Sequence, residues 1–167
     1  MYIFRQAKEE EILPLFQLIM SRVKWMDEVG IQQWNKTKYD ECYPPAYFEN
    51  HRQAGHTFVL TDGENGPILA GAVLKDIDER WDHIPGSRKD SAVYLHNFAT
   101  QLGHKGIGSV FLSMAEDYAR KQGIRFFRLD SAVGNEKLTQ YYSSRGYLPV
   151  GECVDRLYSG ILRQKEL

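Results

Sequence analysis

Seven residues, Ile107, Val110, Phe111, Met114, Ala115, Tyr118 and Ala119, stand at offsets 0, 3, 4, 7, 8, 11 and 12 from the first of them. Steps of three and four keep side chains on one side of a helix, so this spacing predicts a helix from Ile107 to Gln122 with one face buried. The stretches on either side, Ser91 to Thr100 and Ile124 to Ala132, read as strands. A strand, a glycine-rich turn, a one-sided helix and a second strand together imply an α/β sheet.

The rest of the chain supplies more of the same grammar. Tyr2 to Gln6 reads as a short strand. Ile12, Leu15, Phe16, Ile19, Met20 and Val23 recur at helical spacing and predict a helix from about Glu9 to Val23, with Pro14 near enough to its start to be tolerated. A second helical piece follows Pro44-Pro45. His56 to Asp62 and Pro67 to Lys75, divided by Gly63-Glu64-Asn65-Gly66, read as a hairpin. Asp76 to Asp90 is a polar loop carrying Trp81 and Pro85, and long loops in compact domains are often functional. A helix from Glu136 to Arg145 and strands near Tyr147 to Cys153 and Leu157 to Leu162 close the chain. With no repeat and no long linker, residues 1–167 are expected to form one domain.

Several function classes drop out on composition. Lys plus Arg number 21 against 22 Asp plus Glu, a net charge of −1, which advertises neither a nucleic-acid partner nor an anionic membrane. The longest apolar run, Ile68 to Leu74, spans seven residues, whereas a membrane-crossing helix needs about 20. Met1 to Glu10 lacks a basic segment followed by an apolar one, so a cytoplasmic location is the expectation. Cys42 and Cys153 stand far apart outside any CxxC pattern and read as two reduced thiols, with neither a disulfide nor a zinc site.

Chemistry enters at Gly103-His104-Lys105-Gly106-Ile107-Gly108-Ser109, where the strand gives way to the helix. Glycines there let backbone N–H groups converge, and the helix start adds positive potential, a combination suited to a phosphate or pyrophosphate. A Walker A loop would place a lysine between its last glycine and Ser/Thr, but Gly108 is followed directly by Ser109. A dinucleotide fingerprint would need its third glycine where Phe111 stands.

Beyond the next strand comes Asn135-Glu136-Lys137-Leu138-Thr139-Gln140-Tyr141-Tyr142-Ser143-Ser144-Arg145-Gly146-Tyr147, an asparagine cap opening a short helix that ends near a glycine and an aromatic. With the glycine loop ahead of it, the sequence resembles the GNAT N-acetyltransferase superfamily. That family shows a strand, a Gln/Arg-x-x-Gly-x-Gly/Ala loop opening a helix, a strand, then Asn followed after seven positions by Tyr and after eleven by Gly-aromatic. Asn135, Tyr142, Gly146 and Tyr147 keep the second set of spacings, and Gly30-Ile31-Gln32-Gln33-Trp34 resembles a segment of some bacterial members. The family's Gln/Arg falls here on Gly103, so Gln101 or Lys105 is the candidate substitute.

The resemblance implies a mixed, mostly antiparallel twisted sheet of about six to seven strands with about four helices and a splayed central strand pair. It implies acetyl-CoA as co-substrate, no metal, and a primary amine of a small molecule, peptide or protein as acceptor. The pyrophosphate would rest on His104, Lys105, Gly106, Ile107, Gly108 and Ser109, the pantetheine arm along Phe98, Ala99 and Thr100, with Asn135 and Tyr142 completing the cofactor contacts. Tyr142 matches the family's general acid, because a phenol with a reference pKa near 10 can protonate a departing thiolate.

Alternation along Val93-Tyr94-Leu95-His96-Asn97-Phe98 puts Tyr94, His96 and Phe98 on one face. His96 is the candidate base or substrate contact, ahead of His83 and Glu28. Trp34, Trp81 and Tyr94 are candidate walls of the acceptor pocket, with Trp25 flanking them. A catalytically weak acyl-CoA-binding sensor or partner module is the alternative function, and a monomer or a homodimer paired through the Leu157 to Leu162 strand is the expected assembly.

Overall fold

The computed structural model describes all 167 residues. Along the chain run β1 (Tyr2–Gln6), α1 (Ile12–Val29), α2 (Tyr39–Cys42), α3 (Pro45–Gln53), β2 (Thr57–Asp62), β3 (Ile68–Lys75), β4 (Ala92–Thr100), α4 (Ile107–Lys121), β5 (Phe126–Ala132), α5 (Glu136–Ser144), β6 (Leu148–Asp155) and β7 (Tyr158–Glu166). The strands form one seven-stranded sheet in the order β1-β2-β3-β4-β5-β7-β6. The β4–β5 pair is parallel, with Ala92 to Tyr94 beside Phe126 to Arg128, and β1–β2, β2–β3, β5–β7 and β6–β7 are antiparallel. This is the mixed, mostly antiparallel architecture that the family resemblance implies. No helix is long and apolar enough to cross a membrane.

Two compact units divide the chain. The first comprises Met1–Leu74 and Asn97–Ala115. Its helix α1 follows a single turn of 3-10 helix, Glu9–Glu11, in which the Glu11 carboxylate accepts the Lys8 N–H at 2.7 Å and both Arg5 Nη atoms at 2.8 Å. The helix buries Ile12, Leu15, Leu18, Ile19 and Met26 and runs six residues past the expected end at Val23. Nothing between Val23 and Gly30 breaks it. Gly30 then takes the left-handed conformation (φ +76) that closes helices, and the Ile31 N–H returns to the Met26 carbonyl at 2.9 Å. Where α1 crosses β3, a Cβ on Gly71 would stand 2.4 Å from Leu15 Cδ1, so only glycine lets the two approach this closely. A second cluster stacks rings: Phe4 lies on Phe58 at 5.1 Å, and Phe111 meets Phe4 at 5.2 Å and Phe98 at 4.9 Å.

The second unit comprises Lys75–His96 and Glu116–Leu167. Its apolar centre is Trp81, Tyr94, Cys153 and Leu162. Arg128, almost wholly buried, threads this centre: its guanidinium lies 4.9 Å from the Trp81 ring, and it donates to Asp90 Oδ2 at 2.5 Å, Tyr94 Oη at 2.8 Å and the Ser87 carbonyl at 3.0 Å. On α4, the buried carboxylate of Glu116 accepts the Tyr147 hydroxyl at 2.7 Å and Lys165 Nζ at 2.8 Å. The strand expected at Leu157 to Leu162 begins at Tyr158 as part of β7 and lies between β5 and β6, where it does not form an outer edge, because the hairpin folds back inside. The edge is β6, where the register slips between Pro149 and Gly151 and Leu148, Val150 and Val154 are exposed.

Candidate functional site

Between β4 and α4 the backbone turns at Gly103 (φ +83) and Gly106 (φ +82), a region of conformational space that a side chain disfavours. A Cβ at either position would meet nothing within 4 Å. The glycines therefore answer to backbone angle, and the space outside the loop is open. His104 and Lys105 are exposed between them, and the side chain of Ile107 is buried, which pins the helix start. The Val110 N–H is bonded to the Gly106 carbonyl at 3.2 Å, so the amides of Ile107 and Gly108 precede the helical ladder. Such a helix end, with α4's half-charge behind it, suits an anion.

Leading into the loop, Phe98 is stacked on Phe111 and Ala99 is buried. Arg22 Nε donates to the Thr100 carbonyl at 2.7 Å, and Arg22 Nη2 donates to Thr100 Oγ1. That carbonyl, in the stretch expected to lie along the pantetheine arm, thus already has one donor. Asn97 is left-handed (φ +56), accepts the Tyr47 hydroxyl at 2.9 Å and donates to Tyr39 Oη at 2.6 Å. A left-handed residue inside a strand breaks the two-residue period. The alternation drawn from Val93 through Phe98 therefore does not carry past Asn97, and Phe98 cannot be counted onto the face of Tyr94 and His96. Gln101 donates its backbone N–H to the Leu69 carbonyl at 2.7 Å, and its Oε1 is buried without a partner. Trp34 stacks on Tyr39 at 4.7 Å and heads a run of rings through Tyr43 to Tyr47. Trp25, half-buried, lies under the Arg22 guanidinium, and Glu28 is exposed.

In the second unit Asn135 caps α5, its Oδ1 accepting the Leu138 N–H at 3.1 Å. Tyr142 is buried between the rings of Tyr141 at 5.3 Å and Tyr147 at 5.8 Å. Burial pushes its phenol well above the ordinary value, the Tyr141 and Asp130 charges push the same way, and Arg145 and Arg163 oppose them. At neutral pH this phenol holds its proton and can only donate it. The helix stops at Gly146 (φ +88), and the Tyr147 N–H returns to the Tyr142 carbonyl at 3.0 Å.

His96 lies in a polar cluster absent from the sequence expectations. Arg80 Nη2 approaches Asp130 Oδ1 at 2.9 Å, Asp78 Oδ2 at 3.2 Å and His96 Nδ1 at 2.7 Å, while His96 Nε2 is 3.0 Å from Asp78 Oδ2. Because Arg80 can only donate, Nδ1 is the acceptor and Nε2 carries the proton. Both ring nitrogens are engaged, so His96 can take up a further proton only after Arg80 lets go. Burial lowers the imidazole pKa and Arg80 adds to this, against the pull of Asp78. Asp78, Asp130 and His96 have ligand atoms within 4.8 Å of one another, spacing fit for a metal ion, but the Arg80 nitrogen supplies the positive charge at their centre. Trp81 is 1% exposed and Tyr94 5%, the one against Arg128 and the other bonded to it; both are core residues with almost no surface to offer a ligand. His83 is exposed.

A family model described as the acetyltransferase (GNAT) family matches residues 23–147. The chain belongs to the GNAT acetyltransferase family. That span takes in Trp34, all of β4, the glycine loop and α5 through Tyr147, so the GNAT match covers the segments that carried the sequence resemblance. Solved structures agree on the fold. An acetyltransferase of the GNAT family from Listeria monocytogenes 4b F2365 superposes with a TM-score of 0.80 at 23% identity, covering 99% of this chain and 95% of that one. Another from Streptococcus agalactiae 2603 gives 0.79 at 20%, with the same coverage. The PaiA N-acetyltransferase of Thermoplasma acidophilum, solved in complex with coenzyme A, gives 0.75 at 18% and covers 100% of this chain and 99% of its own. Comparison with curated proteins finds no match.

Sequence reasoning missed Asp78, Arg80, Asp130, Arg22 and Asn97. The one legible hint was Asp78-Glu79-Arg80-Trp81, charges crowded against a tryptophan in a long loop.

Proposed function

We propose that this GNAT protein is an acetyl-CoA-dependent N-acetyltransferase that moves the acetyl group directly onto a primary amine of a small molecule, peptide or protein. The observation that carries the reading is the loop at 103–109: two left-handed glycines with open space above them, set at a helix start, at the place where the family holds the phosphates of its co-substrate. The coenzyme A in the Thermoplasma relative supports the same ligand.

In this reading the neutral amine attacks the thioester carbonyl, a C–N bond forms and the C–S bond breaks. Tyr142 gives its proton to the departing sulfur, and the amine's surplus proton leaves to solvent or to a base. A buried, protonated phenol is suited to that role and unsuited to being the base. His96 serves as base only if Arg80 first vacates Nδ1, so a water-relayed proton is the simpler route in the arrangement described. Trp34 and the tyrosines behind it supply an apolar, hydroxyl-bearing wall for the acceptor.

The test has two steps. Melting curves are recorded with acetyl-CoA, CoA, ATP and NAD, since a ligand bound only by the folded state raises stability as RT ln(1 + [L]/Kd). A panel of primary amines is then screened for release of the CoA thiol. Stabilisation by the CoA compounds alone, followed by amine-dependent thiol release, is the expected result; no stabilisation by acetyl-CoA would sink the proposal.

A further inference from the structure

Arg163, on β7, is 2% exposed, yet its guanidinium meets only hydroxyls. Nε donates to Ser131 Oγ at 3.0 Å, Nη2 to Thr139 Oγ1 at 3.1 Å, and Nη1 reaches Ser143 Oγ at 3.5 Å. A buried arginine without a carboxylate is costly, because the guanidinium stays charged and hydroxyls do not cancel that charge. Its partners locate the charge. Thr139 and Ser143 lie on α5, three residues before Tyr142 and one after it, and Ser131 is the penultimate residue of β5.

The other ionisable groups around Tyr142 are answered. Asp130, on β5, is held by Arg80 and by the Tyr158 hydroxyl at 2.6 Å. Arg145, past the end of α5, is 3.6 Å from the Glu116 carboxylate of α4. Tyr141 and Tyr147 pack on the phenol as rings. That leaves Arg163 as the cation with no carboxylate to offset it.

We propose that Arg163 is a positioning residue for Tyr142: it ties α5 to the sheet through the hydroxyls of Thr139 and Ser143, and its uncompensated charge stabilises the phenolate left behind when Tyr142 delivers its proton to the CoA sulfur. The inference rests on the reading of Tyr142 as the acid. After the C–S bond breaks, the phenolate recovers a proton from solvent, so the charge is needed only for the interval between.

The experiment separates the two ideas because it requires no acceptor. Trifluorotyrosine, whose phenol titrates several units below tyrosine's, is installed at position 142 of the full chain, and its ionisation is followed by fluorine NMR. Arg163→Gln and Arg163→Met remove the charge, Arg163→Lys keeps it, and melting curves check that each variant is folded. Replacing a buried unpaired ion by a neutral side chain is often tolerated. The titration midpoint should rise by about one pH unit in both neutral variants and stay within about 0.3 unit in Arg163→Lys. No rise in either folded neutral variant, or an equal rise in Arg163→Lys, would overturn the proposal. Loss of turnover in Tyr142→Phe is read separately and tests the acid assignment alone.

Discussion

His96 gives its Nε2 proton to Asp78 Oδ2 across 3.0 Å while Arg80 fills its Nδ1. Burial alone would raise the Asp78 pKa, but the hydrogen bond from His96 and the charge and hydrogen bonds of Arg80 outweigh it and hold the carboxyl well below its ordinary range. The cluster is thus built around a neutral imidazole and an ionised carboxylate.

A signed pH dependence follows. Both groups have depressed values in the folded state, so the unfolded chain binds more protons than the folded one at acid pH. Their stabilisation is complete above about pH 6.5 for His96 and above about pH 4 for Asp78, and is lost as pH falls below each. Urea unfolding between about pH 8 and pH 4 should show stability declining below about pH 6.5, by no more than about 1.4 kcal/mol per pH unit per group. His96→Gln should flatten the upper part of that decline, and Asp78→Asn should cost about 3 kcal/mol at neutral pH by leaving Arg80 short of a partner.

Tyr142→Phe keeps the ring packing and removes the proton. The expected result is a fall in kcat of about 10²-fold or more, with CoA still bound in calorimetry. A variant as active as the parent would take Tyr142 out of the mechanism.

Gly106→Ala places a side chain at φ +82, which costs about 1 kcal/mol of folding stability, and it tilts the amides at the start of α4. Gly30→Ala, at φ +76 beyond α1, carries a similar conformational cost. Measured side by side, both should melt earlier, while only Gly106→Ala should weaken acetyl-CoA binding, by about tenfold.

Asn97→Ala strips Tyr39 and Tyr47 of a shared partner and leaves a non-glycine residue at φ +56. Tyr39 is buried, so its hydroxyl is left unsatisfied, and the loss should be about 2–3 kcal/mol in urea unfolding. Asn97→Gly loses the same bonds but suits the angle. It should be less damaging than alanine by about 1 kcal/mol.

What was legible in the sequence is what depends on period and on punctuation. The seven apolar residues from Ile107 specify α4 because they recur every three or four positions, and Gly103, Gly106 and Gly146 stand where the backbone takes left-handed angles. Asn135 was legible as a cap because one side chain and one nearby N–H suffice. The one-turn helix α2 was not, since four residues give no period to read. Nor was the bend at Asn97, because Tyr39 and Tyr47, which hold its amide, lie at least 50 positions away in the chain. Arg80, Asp78 and Asp130 looked like ordinary charged residues; only tertiary structure brings them around His96. Trp81 and Tyr94 erred the other way, as aromatic residues that suggested a pocket and fill the core with Arg128.

The outer strand β6 carries an extra residue where Val150 falls between Pro149, opposite Arg163, and Gly151, opposite Leu162. Proline brings no N–H to an outer ladder, and the slip beside it kinks whatever row of donors remains. A chain arriving alongside would find the template interrupted in its first turn of pairing, despite the apolar side chains of Leu148 and Val154 that invite contact. The same irregularity that shapes this strand thereby makes it a poor template for a further strand.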